Sequence, residues 1–267
     1  MKIGVFDSGV GGLTVLRALL ERIPQADFLY LGDTARLPYG AKSRETVARY
    51  AASSARFLVA EGAEFLVIAC NTASALALDA IREAVPVPVL GVVETGANAA
   101  GRSSTTRDVM VIATAATVES HAYTAACAEL GMRAIEKACP LLVPLVEEGW
   151  IEHPVTADVL RIYMAELMEV ARGVGLNADT LVLGCTHYPL LRRQIEATVP
   201  EPVRVIDSAE VTAIEVARRL NLGRQGSGTM RFFATDSVAK FSGLGSRFLG
   251  RPLGDVRLVD LEAGDRQ

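Results

Sequence analysis

Two cysteines stand at the ends of apolar runs and carry polar side chains directly after them. One stretch is Val67-Ile68-Ala69-Cys70-Asn71-Thr72; the other is Leu181-Val182-Leu183-Gly184-Cys185-Thr186-His187-Tyr188-Pro189. A short apolar run that stops at polar residues reads as a buried parallel strand opening into a loop. Ligands of open α/β sheets bind at the carboxyl ends of the strands. The pattern therefore predicts a thiol at the ligand-facing end of two separate strands, the two facing each other across one small substrate. With an unperturbed pKa of ~8.5, thiol and thiolate differ by only ~2 kcal/mol at neutral pH. Two thiols on opposite faces of a carbon can take a proton from one side and return one from the other, which inverts a stereocentre without a cofactor. An amino-acid α-proton is weakly acidic, so fixed donors must meet the developing charge in a site that excludes water. Ser8, Asn71, Thr72, Thr114, Thr117 and Thr186 are the hydroxyl and amide groups placed to do so.

Other titratable residues stand near these motifs. Asp7 ends the first strand and reads either as a turn carboxylate or as a partner for Cys70 or a substrate ammonium. His187 follows Cys185 by two residues, which suits proton transfer or substrate contact. Glu147 and Glu148 are adjacent acids, of which one could reach the site. Cys127, in an Ala-rich helix, and Cys139, before Pro140, read as structural. The usual cofactor for amino-acid racemisation is pyridoxal phosphate on a lysine. The four lysines are Lys2, Lys42, Lys137 and Lys240, and none is close in sequence to either cysteine.

The elements that must position these groups alternate strand and helix, which predicts a parallel doubly wound sheet. Lys2–Asp7 reads as a strand, Leu13–Arg22 as a helix, Phe28–Leu31 as a strand and Arg44–Glu61 as a long helix leading to the Cys70 strand. The glycines of Asp7-Ser8-Gly9-Val10-Gly11-Gly12 suit close approach of the backbone to an anion, a carboxylate rather than a phosphate. Leu37-Pro38-Tyr39-Gly40 is a loop. Thr72 to Glu83 reads as one helix and Pro86 to Val93 as a strand. Gly96–Arg107, small and polar, reads as the boundary between lobes. The pattern then restarts: a strand ending at Thr114, a helix opening at Ala115, a strand over Ala134–Cys139, a loop or short helix at Leu145–Trp150, a helix over Thr156–Arg172 and the Cys185 strand. Val203–Asp207, Glu210–Leu220, a Gly-rich loop over Asn221–Thr229, Met230–Thr235 and Ser237–Leu249 close the chain. Each half has an opening strand and a later strand ending in cysteine, a weak internal repeat. The expected fold class is α/β, with two similar doubly wound lobes related by a pseudo-twofold and the active site in the cleft between them. Residues 1–96 with 207–267 would form the first lobe (Asp7, Cys70), and residues 97–206 the second (Thr114, Cys185).

At 267 residues the chain can bury roughly 75% of its unfolded surface, so stability needs neither disulfide nor metal. A net charge of −4 with no basic run argues against nucleic acid, and there is no polybasic amphipathic helix. No apolar run reaches the ~18 residues of a membrane span, and the first residues lack a signal-peptide pattern. A cytoplasmic location is expected, where four cysteines are more often buried or catalytic than bridged. No C-x-x-C pair or helical H-E-x-x-H supports a metal site.

Four segments together resemble the cofactor-independent aspartate/glutamate racemase family, glutamate racemases above all. They are Phe6-Asp7-Ser8-Gly9-Val10-Gly11-Gly12-Leu13-Thr14-Val15, Pro38-Tyr39-Gly40-Ala41-Lys42-Ser43, Ala69-Cys70-Asn71-Thr72-Ala73-Ser74 and Gly184-Cys185-Thr186-His187-Tyr188-Pro189-Leu190. The resemblance implies interconversion of L- and D-glutamate for peptidoglycan synthesis, with no cofactor, by a protein that commonly dimerises. It implies that Cys70 takes the α-proton of D-glutamate and Cys185 that of L-glutamate, assisted by Asp7, Glu147 and His187. Substrate contacts would come from Asp7, Ser8, Pro38, Tyr39, Gly40, Asn71, Thr72, Thr114, Thr117, Thr186 and His187. Ala113 and Ala116 depart from the family, which often has glycines there. Three other readings stay open: a racemase for aspartate, a two-lobed binding protein for a small acid, and a thiol hydrolase.

Overall fold

The computed structural model describes residues 1–220 and 227–261. The predicted loop over Asn221–Thr229 therefore lies largely outside the described residues. Among the described residues, ten strands and twelve α-helices follow in chain order: β1 (Lys2–Asp7), α1 (Leu13–Arg22), β2 (Asp27–Gly32), α2 (Arg44–Ala60), β3 (Phe65–Ile68), α3 (Asn71–Leu76), α4 (Leu78–Ala84), β4 (Val89–Gly91), α5 (Val92–Ser103), β5 (Asp108–Ala113) and α6 (Ala115–Glu119). They continue with α7 (Ala122–Glu129), β6 (Arg133–Ala138), α8 (Leu142–Glu147), α9 (Pro154–Gly173), β7 (Thr180–Gly184), α10 (Arg192–Glu196), β8 (Arg204–Asp207), α11 (Ser208–Leu220), β9 (Met230–Ala234), α12 (Val238–Leu249) and β10 (Val256–Leu258).

Two all-parallel sheets result. One has the order β10-β9-β2-β1-β3-β4, the other β6-β5-β7-β8. The order β2-β1-β3-β4 in the first matches β6-β5-β7-β8 in the second, so the internal repeat is a repeat of topology. In each lobe the opening strand lies beside the strand that leads to a cysteine. Phe6 pairs with Ile68, and Ala113 with Gly184. These registers set Asp7 and Ser8 beside Cys70, and Thr114 beside Cys185. β1, β3, β5 and β7 are buried almost throughout, as expected when helices cover both faces of a parallel sheet.

Four elements differ from the sequence reading. The helix expected over Thr72–Glu83 is two helices, broken at Ala77. The strand expected to reach Val93 ends at Gly91, where Val93 N–H bonds Ser74 Oγ at 3.3 Å instead of continuing a ladder. Helix α5 then occupies most of the stretch expected as a connection, and residue 96 lies inside it. Its small residues serve close packing: a Cβ on Gly96 would stand 3.2 Å from the Tyr123 ring. Strand β10, which the sequence reading missed, pairs with β9.

Candidate active site

A cavity of about 510 Å³ opens between the lobes, within the ~300–1,000 Å³ usual for small-molecule sites. Ser8, Pro38, Tyr39, Gly40, Cys70, Asn71 and Thr72 line it, together with Thr114, Glu147, Cys185, Thr186 and His187. Twelve of the fourteen residues singled out from sequence thus share one space. The other two, Asp7 and Thr117, are buried behind its wall. Glu148 is not among the lining residues. Cys127 and Cys139 are free, buried and outside the cavity.

Cys70 sits between β3 and α3. Its Sγ accepts from Ala73 N at 3.4 Å and lies 3.5 Å from Ser8 Oγ. Burial, then the Asp7 carboxylate, push this thiol up to about 12, against the pull of the Ser8 and Ala73 donors. Asp7 is itself raised by burial, opposed by the Gly9 and Gly12 amides and by His187. Its Oδ2 accepts from Gly9 N at 2.9 Å, while Oδ1 has no partner among the described residues.

Cys185 has a different neighbour. Its Sγ lies 3.9 Å from His187 Nδ1, and His187 Nε2 meets Glu147 Oε1 at 3.1 Å. Burial works against the imidazolium, but Cys185 and Glu147 outweigh it and hold the ring's pKa up to about 10. The bond to His187 in turn lowers Glu147. One thiol therefore faces a carboxylate and the other an imidazolium, so the two cysteines have unlike neighbours.

The hydroxyls form a cluster across the cleft. Thr72 Oγ1 lies 3.1 Å from Thr114 Oγ1 and 3.4 Å from Thr117 Oγ1, and the latter two are 2.9 Å apart. Tyr123 OH donates to Asn71 Oδ1 at 2.7 Å, leaving Nδ2 a buried donor without a partner among the described residues. Tyr39 OH donates to Asp33 at 2.6 Å, so what Tyr39 offers the cavity is not a free hydroxyl.

The glycine loop corrects one expectation. Of Ser8–Gly12 only Ser8 lines the cavity. A Cβ on Gly11 would collide with Thr186 Oγ1 and stand 2.7 Å from His187 Nδ1. Gly11 lets the Cys185 loop of the second lobe approach α1, where Thr14 Oγ1 donates to Thr186 O at 3.0 Å. Gly11 therefore serves the joint between the lobes, while Gly9 and Gly12 make room for Leu37, Asp7 and Ala69 of their own lobe.

Residues missed from sequence complete the wall. Leu37, Ala41, Ala115, Pro140, Val143, Pro144 and Lys240 line the same cavity. Lys240 bears on the cofactor argument, because distance along the chain does not keep an amine out of the site. Among the described residues no group of three or more His, Cys, Asp or Glu side chains could hold a metal ion.

Two parallel-sheet lobes, each delivering a cysteine to a shared cleft, define a class of two-thiol isomerases. The chain belongs to the Asp/Glu/Hydantoin racemase family, whose model matches residues 3–216. It is 52% identical to a glutamate racemase of Koribacter versatilis (strain Ellin345), with 97% of each chain covered. It also resembles the crystal structure of a glutamate racemase from Thermus thermophilus in complex with beta-chloro-D-alanine: TM-score 0.87, 45% identity, covering 98% of this chain and 97% of that one. A glutamate racemase from Francisella tularensis in complex with D-glutamate matches at TM-score 0.89 and 33% identity, with 98% of each chain covered.

Proposed function

We propose that the chain interconverts L- and D-glutamate by a cofactor-independent proton transfer between two thiols, supplying D-glutamate for peptidoglycan. The observation that carries this reading is the pair Cys70 and Cys185, one from each lobe, lining one cavity with unlike neighbours. In the L-to-D direction the Cys185 thiolate, beside the His187 imidazolium, takes the α-proton. The C–H electron pair stays on the α-carbon, and the Cys70 thiol delivers a proton to the other face. The enzyme is left as Cys70 thiolate and Cys185 thiol, the form that acts on D-glutamate. Asp7 acts on Cys70 from behind the wall, and Glu147 acts on Cys185 through His187. Ser8, Asn71, Thr72, Thr114 and Thr186, with the Pro38-Tyr39-Gly40 backbone, hold the substrate's carboxylates and ammonium, and Thr117 orients Thr72 and Thr114. Fixed donors of this kind also meet the charge that develops at the α-carbon.

Among the described residues, we assign 1–96 with those from 207 onward to the first lobe and 97–206 to the second; the first boundary falls inside α5. The protein works in the cytoplasm as a homodimer; no helix among the described residues is long and apolar enough to cross a membrane.

The test is proton NMR of the metal-free and pyridoxal-free protein with L-glutamate in deuterium oxide, with chiral analysis of the product. Loss of the α-proton signal with D-glutamate appearing supports the proposal. The same run on aspartate separates the two substrates. Because Lys240 lines the cavity, restoration of activity only on adding pyridoxal phosphate would replace the two-thiol reading with a Schiff-base one. Binding without exchange would leave a binding protein.

A further inference from the structure

Helix α12 follows the β9 strand of the six-stranded sheet, yet one face of it serves the other lobe. Lys240, Leu244, Arg247 and Phe248 recur at the spacing that puts side chains on one helical face. Lys240 lines the catalytic cavity and draws Glu147 down electrostatically. Phe248 packs edge-on against the His187 ring, with centroids 5.0 Å apart and planes at 79°. Arg247 Nη1 donates to the carbonyls of Glu147 at 3.0 Å and Val146 at 3.2 Å, about a hundred residues away in sequence.

Those two carbonyls end α8. The last carbonyls of any helix lack intrahelical donors, and here two devices satisfy them. Gly149, at φ +83°, closes a Schellman turn: its N–H bonds Val146 O at 3.0 Å, and Trp150 N–H bonds Leu145 O at 2.8 Å, the pattern that favours glycine after a helix. Arg247 supplies the other, and it takes the Glu147 carbonyl that the turn leaves over. The guanidinium lies so close that a Cβ on Gly149 would stand 3.1 Å from both its terminal nitrogens. The main chain of Glu147 is thus fixed from the opposite lobe, while its side chain reaches His187.

We propose that Arg247 is a positioning residue for the proton transfer: by binding the carbonyls that end α8 it holds Glu147 where its carboxylate meets His187, on the Cys185 side of the site. The proposal rests on the glutamate racemase reading above. The titratable groups that face this pair are Cys185 and, from the end of β1, Asp7 on the His187 side, and Lys240 from α12 on the Glu147 side. Among the described residues the hydrogen bonds of Arg247 go to main-chain carbonyls, and it does not line the cavity, so its role is positioning rather than catalytic.

Arg247→Met removes the donor; Arg247→Lys keeps a cation able to reach a carbonyl. Each is compared with wild type for kcat/KM on L- and D-glutamate across pH, and for Tm. Arg247→Met is expected to lose about 3- to 10-fold in kcat/KM, the effect of one hydrogen bond. The alkaline limb, which the coupled His187–Glu147 pair sets, should move down by at least ~0.5 pH unit as His187 loses part of its carboxylate. Arg247→Lys should recover most of both. In an E147Q background, Arg247→Met should no longer move the limb, because the group it positions is gone. An unmoved limb in an active Arg247→Met protein, or the same shift with and without Glu147, would overturn the proposal. A fall in Tm with no change of pH profile would assign Arg247 a purely structural role, and so overturn it as well. A wild-type chain with no exchange on glutamate would fail the functional reading instead, and the two failures are told apart by the wild-type control.

Discussion

Replacing Glu147 by Gln removes one charge and keeps the side chain's size. In the structure Glu147 Oε1 lies 3.1 Å from His187 Nε2 inside a half-buried pair. A hydrogen bond to a charged group contributes about 1.5–3 kcal/mol, and one pKa unit corresponds to about 1.4 kcal/mol. Losing the carboxylate should therefore lower the imidazolium pKa from about 10 by about 1–2 units, to roughly 8–9. At pH 7 the ring stays charged in both proteins. At pH 9 the charged fraction falls from about nine-tenths to between roughly one-tenth and one-half. The variant should thus lose about 2- to 10-fold more kcat/KM at pH 9 than at pH 7. The assay is racemisation followed by circular dichroism from pH 6 to 10, in both directions. The two enantiomers have equal free energy, so kcat/KM must fall equally for L- and D-glutamate; a difference would expose an artefact. Stability gives a second check. A histidine whose folded pKa is raised stabilises the fold fully below its unfolded value of ~6.5, and that contribution is lost as pH rises through the folded value. Wild-type Tm should therefore decline between pH ~6.5 and about 10, and E147Q should show a smaller decline that ends at lower pH. An unmoved alkaline limb together with an unchanged Tm profile would refute the link between Glu147 and His187.

Cys70→Ser and Cys185→Ser should each abolish racemisation while leaving the far-ultraviolet circular dichroism unchanged; full activity in either would remove that thiol from the mechanism. Tyr123→Phe strips the donor from Asn71 Oδ1 and frees the amide to rotate. KM should rise about 5- to 30-fold, the equivalent of 1–2 kcal/mol, with kcat changed less; an unaltered KM would mean that Asn71 does not bind the substrate through Nδ2.

Much of the sheet order was legible because buried parallel strands advertise themselves as short apolar runs. Lys2–Asp7 and Leu13–Arg22 emerge with the boundaries read from the sequence. The boundaries that failed were set by contacts with residues distant in sequence. Ser74 captures the Val93 amide and ends β4, and Tyr123 makes the small residues of α5 a packing face rather than a connection. Strand β10 is three residues long and stands at the sheet edge, so its own pattern is too short to be recognised.

The same division runs through the site. Local pattern alone determined that Cys70 and Cys185 end two strands with polar groups following, because strand direction and alternation are properties of a few adjacent residues. It also put Asp7, Ser8 and Thr114 at the ends of the neighbouring strands. Local pattern could not choose Glu147 over Glu148, since adjacent residues on a helix point in different directions and only the seat of α8 says which direction is the cleft. It could not find Lys240, Arg247 or Phe248, whose relevance comes from α12 crossing to the other lobe. Nor could it reveal that Gly11 makes room for Thr186 and His187. Those outcomes belong to the packing of one lobe on the other, where the partners stand about sixty residues or more apart and nothing in either segment records the other's position.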